Sequence, residues 1–426
     1  MKEIFFPRGR LTPAGSILLA SILFTGIIAF DTESSLSYQT FAFLACLLLI
    51  SLLSALLFRT QFSIQRTLPR FGTVGEPMTY SVHVHNASDR LQAGLTFTET
   101  LQEGKISPNG ATARRRKLRS FRLVKSRRNT PPAVVPETPL PSLLPNDSIQ
   151  VSIQLTPLRR GPIQFGTSRV SRTDPFGLVR AFSFVDRPQR LLILPKRYPA
   201  PNLHLPGKEE YQPGGVTQAS NVGQSEEFVS LRDYRRGDPL RHIHWRSWAK
   251  TGEPIVKEFE DEYFVRHGLI LDTFDDDDDP EIFEEAVAVA ASFACNLRTQ
   301  ESLLDLMFVG VRAFCFSVGR GVGHNEQLLE ILACAEPSDE VEFQLLRDLT
   351  LNHAGQLAAC VCIFLKWDQK RQDLVRELLK MGLPIEVFVI RHINEKQPLA
   401  SGPMANTPEH LHVLEVGRIA QGLANL

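Results

Sequence analysis

The chain has 426 residues and 43% of them are hydrophobic, so it can form two or three domains with buried cores. Its 47 basic and 47 acidic residues cancel, and the net charge therefore favours no particular class of partner. The six cysteines include no C-x-x-C pair and no histidine stands at a zinc-ligand spacing, which argues against a structural zinc site and favours buried, reduced thiols.

Two uncharged apolar segments lie near the N-terminus. Residues 11–30 contain no charged residue over 20 positions, and residues 36–58 contain none over 23. A helix of about 20 apolar residues crosses the hydrocarbon core of a bilayer. We therefore predict a transmembrane helical hairpin within residues 1–60. A signal peptide is the alternative for the first segment, and a buried hairpin of a globular domain is the alternative for both.

The charges that flank this hairpin predict its orientation. Basic residues precede the first segment and follow the second, whereas the connecting loop has only acids. The flanking bases are Lys2, Arg8, Arg10, Arg59, Arg66 and Arg70, and the loop acids are Asp31 and Glu33. Because basic flanks stay in the cytoplasm, we expect both ends of the hairpin and the rest of the chain on that side.

Residues 62–195 have the pattern of a β-sandwich-like domain. Residues 78–88, 91–100 and 148–166 contain strand-like runs separated by turn residues. An insert at residues 112–146 interrupts them. It begins with nine bases and no acid in residues 114–128, and it continues with a proline-rich stretch, residues 130–145, that we expect to be irregular.

The basic run has three interpretations. It can lie against anionic lipid, where each Lys or Arg contributes about 1 kcal/mol. It can also be a solvated loop without a partner, or a nucleic-acid-binding segment. The nearby membrane anchor favours lipid over nucleic acid, so we expect no nucleic-acid partner. The candidate lipid-facing residues are Arg114, Arg115, Arg116, Lys117, Arg127 and Arg128.

A dense segment of charged and aromatic residues lies within residues 196–262, which we assign as a connector. Leu231, Tyr234, Ile243, Trp245 and Trp248 can be buried there, and we expect the arginines and aspartates to form an ion-pair network between the domains. The alternative is that the same residues form a binding surface for a partner. Asp238, His242 and His244 are a weaker candidate for a metal site on a strand face. The segment has no nucleophile constellation and no phosphate-binding glycine loop, so we do not expect catalysis.

Residues 263–426 alternate strands and helices, which predicts an α/β domain with a mostly parallel sheet. The first strand, residues 267–272, ends at Asp272, and an acidic loop follows it. Ligands of such sheets bind beyond the carboxyl ends of strands. Asp272 is therefore the main candidate site residue, and with Asp276 it forms a candidate divalent-cation site. The alternative is that Asp272 only caps the loop.

The core of the connector resembles the bacterial family known as domain of unknown function 58. The resemblance rests on a long spaced motif, and a second match lies upstream in Arg160-Gly161 and residues 173–178. The motif residues are Glu227, Phe228, Leu231, Arg232, Tyr234, Gly237, Asp238, Arg241, Ile243, Trp245, Ala249, Gly252, Val256, Lys257 and Glu258.

The resemblance implies a von Willebrand factor A-like (Rossmann-type) α/β domain in a bacterial inner-membrane protein. It also implies MoxR-type AAA+ ATPases and transglutaminase-like membrane proteins as partners, with no established enzymatic activity. The metal motif of von Willebrand A domains is D-x-S-x-S, and residues 272–276 keep its aspartate but neither serine. We therefore expect a non-enzymatic adaptor without a cofactor. The alternative is a metal-dependent enzyme that uses Asp272 and the acidic loop, and nucleic-acid binding by residues 114–128 is a third hypothesis.

Overall fold

The computed structural model describes residues 11–28, 35–56, 58, 61–103, 131–201, 228–259, 265–274, 279–296, 302–310, 313–318, 322–338, 343–395 and 399–426. Two compact units make up the chain, Met1–Leu194 and Pro195–Leu426. The predicted basic loop, with Arg114, Arg115, Arg116, Lys117, Arg127 and Arg128, lies outside the described residues, as do Glu227, Asp276 and the hairpin charges Lys2, Arg8, Arg10, Asp31, Glu33 and Arg59.

Two apolar helices open the first unit: α1, Pro13–Ile28, and α2, Ser35–Leu56. Among the described helices, α2 is long and apolar enough over Leu36–Leu56 to cross a membrane, whereas α1 has 16 residues and is shorter. The helices pack closely, since a Cβ atom on Gly26 would lie 3.2 Å from the ring of Phe41. The apolar segments predicted from the sequence are thus helical, and the second has the length of a span.

Both helices attach to one loop of the following β-domain, residues 174–179. The backbone N–H of Thr12 donates to the carbonyl of Leu178 (3.0 Å), and the Ser51 hydroxyl donates to the Asp174 carboxylate (2.7 Å). Asp174 also accepts hydrogen bonds from the backbone N–H groups of Phe176, Leu178 and Val179. This loop belongs to the upstream sequence match, so that match encodes the attachment of the helices.

The β-domain has two sheets that face each other. The order of the first is β1-β3-β7-β5 and the order of the second is β2-β9-β8-β4-β6. The strands are β1 Phe62–Thr67, β2 Phe71–Thr73, β3 Met78–Asn86, β4 Leu95–Glu103, β5 Ala133–Val134, β6 Thr138–Leu140, β7 Ser148–Pro157, β8 Gly161–Thr173 and β9 Arg180–Leu194. Tyr80 of the first sheet packs edge-on against Phe165 of the second, at 5.5 Å between ring centroids, within one shared core. This arrangement is the predicted sandwich.

Two expectations for this unit were wrong. The proline-rich stretch contains β5 and β6, because short edge strands tolerate proline where no ladder N–H is needed. Arg66, counted among the bases that flank the membrane, is instead fully buried in β1. Its guanidinium pairs with the Glu99 carboxylate, with Nε 2.8 Å from Oε1. Burial of an arginine requires such a partner, and the partner lies on a strand that is distant in sequence.

The second unit contains a two-stranded sheet and a six-stranded sheet. In the small sheet, β10 Phe228–Asp233 pairs with β11 Ile255–Phe259, and helix α3, Trp245–Thr251, lies between them in sequence. The order of the large sheet is β14-β13-β12-β15-β16-β17, all parallel except β14. Its strands are β12 Val265–Leu271, β13 Ser302–Val309, β14 Ala313–Val318, β15 Ala359–Phe364, β16 Ile385–Arg391 and β17 Leu411–Glu415.

Helices cover both faces of the large sheet. They are α4 Pro280–Asn296, α5 Val322–Ala333, α6 Phe343–Ala354, α7 Gln369–Lys380 and the C-terminal α8 Ile419–Ala424. Side chains of α6 and α7 share a core with Val387 and Val389 of β16. Phe293 of α4 packs on Phe388, which points to the opposite face of that strand. Every residue of β15 is buried, as a strand covered on both sides requires. The mostly parallel α/β sheet is therefore confirmed.

Candidate functional site

The carboxyl ends of β12 and β15 form the switch point of the large sheet. β12 lies between β13 and β15 in the sheet. The chain leaves β12 for β13 on one side and later returns to β15 on the other. In open α/β sheets the crevice at this position is where ligands bind. Asp272 directly follows β12, so the residue selected from the sequence does lie at the switch point.

Arg371, from the first turn of α7, fills this position together with Asp272. Its Nε lies 3.0 Å from Oδ2 of Asp272, and its Nη2 lies 3.3 Å from Oδ1. The carboxylate also accepts hydrogen bonds from the backbone N–H groups of Phe274 (3.0 Å) and Leu365 (3.2 Å). Both charged side chains are 0% exposed. Four protein donors thus surround one buried carboxylate.

The rest of the guanidinium is also held by the protein. Nη1 donates to Oδ2 of Asp368 at 2.7 Å, and Nη2 donates to the carbonyl of Phe274 at 3.3 Å. The Phe343 ring lies under the guanidinium, with Cζ 4.5 Å from its centroid. We call Asp272, Phe274, Phe343, Asp368 and Arg371 the switch-point cluster. Asp368 is also the N-cap of α7, and its carboxylate accepts a hydrogen bond from the backbone N–H of Arg371. The same residue therefore caps the helix and belongs to the cluster.

Burial and charge act in opposite directions on the pKa values of the pair. Burial alone would lower the pKa of Arg371, but the charges of Asp272 and Asp368 outweigh it and raise that pKa. Burial raises the pKa of Asp272, while Arg371 and the two backbone N–H groups oppose that rise. The guanidinium is therefore the group that makes an ionised carboxylate tolerable at this depth.

This geometry bears on the predicted cation site. Arg371 already supplies the positive charge beside Asp272, and the Thr273 hydroxyl donates to the carbonyl of Val309. Within the described part of the chain, no group of three or more His, Cys, Asp or Glu side chains is arranged to hold a metal ion. Metal binding by Asp272 with Asp276 stays a prediction, and it would require Arg371 to move.

Two cysteines lie in β15, the strand whose carboxyl end borders the switch point. Cys360 and Cys362 share one face of β15, with their Sγ atoms 3.9 Å apart, and both are buried. The hydrogen bond between Cys362 and Cys360, together with burial, raises the pKa of the Cys362 thiol well above its usual range. A nucleophilic cysteine needs the opposite shift.

Arg371 was not selected from the sequence, although the sequence carries a signal for it. Arg371, Leu374, Val375 and Leu378 follow the i, i+3, i+4, i+7 spacing of one helix face, and all four are buried. An arginine in register with a buried apolar stripe needs an acidic partner inside the protein. The pattern therefore predicts a buried ion pair, but it does not identify the partner.

The core motif forms a turn stabilised by a bidentate ion pair. The Arg232 guanidinium donates to both oxygens of Asp238 (2.7 and 2.9 Å), and the backbone N–H of Arg235 donates to Oδ2. The hydrogen bonds from Arg232, and then that from Arg235, lower the pKa of Asp238 to about 2. Gly237 has φ 114°, a backbone conformation that favours glycine. An ion pair within the motif is thus present, whereas a network between the domains stays a prediction.

The aromatic part of the motif differs from the expectation. Ile243 is buried and pairs with Val256, but Trp245 is 63% exposed, Leu240 is 68% exposed and Leu231 is 42% exposed. Trp245 stacks on Trp248, with ring centroids 5.2 Å apart. Trp245 and Leu231 were therefore wrongly assigned to the core, because a hairpin and one short helix bury only one face.

The proposed histidine pair on a strand face was also wrong. Leu240–His242 form a 3-10 turn, so His242 and His244 do not share a strand face. His244 interacts through Nδ1 with the Ser247 hydroxyl (2.6 Å) at the start of α3. Of the other motif residues, Phe228 lies in β10, Tyr234 follows that strand, and Arg241 is exposed.

Comparison with known proteins agrees with the motif. The profile of the family described as "Protein of unknown function DUF58" matches residues 230–398. The uncharacterized protein YeaD of Bacillus subtilis (strain 168) is 28% identical over 192 residues, which cover 44% of this chain and 46% of YeaD. This chain therefore spans about half the length of that curated relative.

Solved structures give weaker likenesses. The CARDB domain of the PF1109 protein from Pyrococcus furiosus is 14% identical, with 30% of this chain and 94% of that chain covered and a TM-score of 0.17. The alpha-2-macroglobulin of E. coli is 14% identical, with 40% of this chain and 9% of that chain covered and a TM-score of 0.20. A beta-glucosidase from Listeria innocua is 13% identical, with 32% of this chain and 16% of that chain covered and a TM-score of 0.18. TM-scores this low establish no common fold.

The sequence match includes most of the core motif and the switch-point cluster. Residues 230–398 contain the Arg232–Asp238 pair, Trp245, Asp272 and Arg371. The match therefore supports the predicted assignment of this part of the chain to the DUF58 family of proteins of unknown function.

Proposed function

We propose that the protein is a membrane-anchored, non-enzymatic adaptor of the bacterial inner membrane. In this proposal two N-terminal helices hold a von Willebrand A-like α/β domain on the cytoplasmic side. That domain binds a MoxR-type AAA+ ATPase, and a transglutaminase-like membrane protein is a second candidate partner.

The observation that carries the proposal is the occupied switch point. Arg371 contacts the carboxylate that would otherwise face a ligand, and the Phe343 ring and Asp368 cover the rest of the guanidinium. An enzyme of this fold class would keep reactive groups in an open crevice here. A crevice closed by protein side chains supports a role in binding through the outer surface.

The core motif offers such a surface. Trp245, stacked on Trp248, and Leu240 are exposed apolar side chains on one small hairpin and helix. Arg241 and Arg246 are exposed in the same short segment. Tryptophan and arginine dominate the binding energy of protein interfaces, so this combination fits a docking site for a protein partner.

A binding experiment tests the proposal directly. The full chain in detergent is immobilised and a purified MoxR-type ATPase from the same organism is passed over it. We expect binding by the wild type and at least about tenfold weaker binding by a Leu240→Ala/Trp245→Ala variant, since a hot-spot truncation costs 2 kcal/mol or more. Leu345→Ala/Met381→Ala is the matched control, because these side chains are also exposed (46% and 51%) but lie on or next to other helices of the same unit.

Two outcomes contradict the proposal. One is no binding of the ATPase by the wild-type chain, and the other is equal loss of binding in the test and control variants. The enzyme alternative is tested in parallel by calorimetric titration of the full chain with Mg²⁺ and Mn²⁺. A binding heat that Asp272→Asn abolishes would favour the metal-dependent enzyme instead.

A further inference from the structure

Two adjoining cavities lie where the end of α2 meets the sandwich. The first, which we call the polar cavity, has a volume of about 370 Å³ and charged side chains in its wall. Its walls include Ile50, Leu53, Phe58, Arg90, Arg172 and Asp174. The second has a volume of about 260 Å³ and lies between α1, α2 and the start of β9. Its walls are mainly apolar, so we call it the apolar cavity, and they include Leu11, Leu19, Leu48, Leu52, Leu56 and Phe182.

The cavities are neighbours. Ala55, Phe58 and Ala181 line both of them, so a molecule with a polar end and an apolar end can occupy both at once. Their combined dimensions fall within the range of small-molecule sites, about 300–1,000 Å³. The polar cavity lies next to the last turns of α2, which is the helix with the length of a membrane span. In a bilayer that position corresponds to the headgroup region.

The charges in the polar cavity favour an anion. Among the described residues, no carboxylate forms an ion pair with Arg90 or Arg172. The Arg172 guanidinium instead lies 6.0 Å from the centre of the Phe58 ring, and Asn86 fixes the Arg90 backbone by donating to its carbonyl (3.0 Å). Asp174 is the acidic group in the wall. Its oxygens accept hydrogen bonds from the Ser51 hydroxyl and from three backbone N–H groups. Burial opposes ionisation of this carboxyl, but these four donors together lower its pKa.

We propose that this junction is a binding site for an anionic phospholipid. The phosphate contacts Arg90 and Arg172, whose planar forks suit phosphate oxygens, and an acyl chain lies along the apolar cavity. Basic pockets beside transmembrane helices bind lipid headgroups by this chemistry. A free phosphate ester shares the headgroup chemistry, but it would leave the apolar cavity without a role. The site rests on the proposed membrane anchor.

Native mass spectrometry of the full chain in detergent tests the site. The probes are dioleoylphosphatidylglycerol, dioleoylphosphatidylcholine and glycerol 3-phosphate. We expect phosphatidylglycerol to remain bound at least about tenfold more than phosphatidylcholine, since each basic residue near an anionic surface contributes about 1 kcal/mol. Arg90→Gln/Arg172→Gln should remove that preference. Arg169→Gln/Arg190→Gln, which removes two exposed charges from β8 and β9 away from the cavities, should keep it.

A second variant tests the apolar half without changing charge. Leu48→Phe adds volume to a wall of the apolar cavity alone and should weaken phosphatidylglycerol binding, while glycerol 3-phosphate would be unaffected. The lipid assignment is overturned if both phospholipids bind equally, if the control variant loses as much as the test variant, or if glycerol 3-phosphate binds as tightly as phosphatidylglycerol. Carbonate extraction of membranes is measured separately. A chain that carbonate removes overturns both the anchor and the site, whereas an integral chain without lipid preference overturns the site alone.

Discussion

Removal of the Arg371 guanidinium should strongly destabilise the α/β domain. In Arg371→Met, the buried Asp272 carboxylate keeps only the backbone N–H donors of Phe274 and Leu365, and its counter-charge is lost. Breaking one side of a buried ion pair costs about 3–5 kcal/mol. The methionine keeps much of the side-chain volume, so most of this cost comes from the unpaired charge.

Hydrogen exchange of the full chain measures this cost locally. Amides of β12 and β15 flank the pair, and their protection reports the free energy of opening this part of the sheet. A loss of 3–5 kcal/mol corresponds to roughly 10²- to 4 × 10³-fold less protection. The double variant Asp272→Asn/Arg371→Met removes both charges, and we expect it to cost about 2–3 kcal/mol less than the sum of the single variants.

The matched control is Arg347→Met in the neighbouring helix α6. Arg347 pairs with Glu377 through Nε and Oε2 at 2.9 Å, but both side chains are 32% exposed. An exposed pair contributes at most about 1 kcal/mol. If Arg371→Met lowers protection no more than Arg347→Met, or if the two switch-point substitutions are simply additive, the reasoning from burial and pairing is refuted.

Two further predictions concern other contacts. Asp279 pairs with His392, and this contact raises the pKa of His392 and lowers the pKa of Asp279, although burial opposes both shifts. The pair therefore stabilises the fold at pH values between the two pKa values. This stabilisation is lost as pH rises through the raised pKa of His392 and as pH falls through the lowered pKa of Asp279. The difference in Tm between wild type and His392→Gln should therefore shrink above the histidine pKa, and a constant difference from pH 5 to 9 would contradict this. A Cβ at Gly15 would lie 2.1 Å from the carbonyl oxygen of Leu178. Gly15→Ala should thus cost about 1–3 kcal/mol and lower the Tm in detergent, while Gly355→Ala, which meets open space, should not.

The elements of the α/β domain could be predicted because their signals are local. The apolar run around β15 has the composition of a strand covered on both faces, and Asp279-Pro280 carries its own start signal for α4. The main strands of the sandwich were also readable from alternation, although their pairing was not. The structure places both kinds of element close to their predicted limits.

The buried charges could not be predicted in the same way. Arg66 and Glu99 lie on separate strands, and Asp272 and Arg371 are 99 residues apart. Sequence shows which charges exist, but only the tertiary structure shows which of them meet. The exposed Trp245 is the converse case, since composition predicts burial and the small size of its hairpin prevents it.

The switch-point cluster also sets a free-energy cost for binding a cation at Asp272. A metal ion at Asp272 must displace the guanidinium, which would then keep Asp368 as its acidic partner. If that rearrangement costs about 3–5 kcal/mol, the apparent metal affinity falls roughly 10²- to 4 × 10³-fold below that of the bare carboxylate site. The same displacement would break the contact to Phe274 and move the Arg371 guanidinium off the Phe343 ring. A cation that takes the place of the Arg371 guanidinium at Asp272 is therefore incompatible with the observed packing of this cluster.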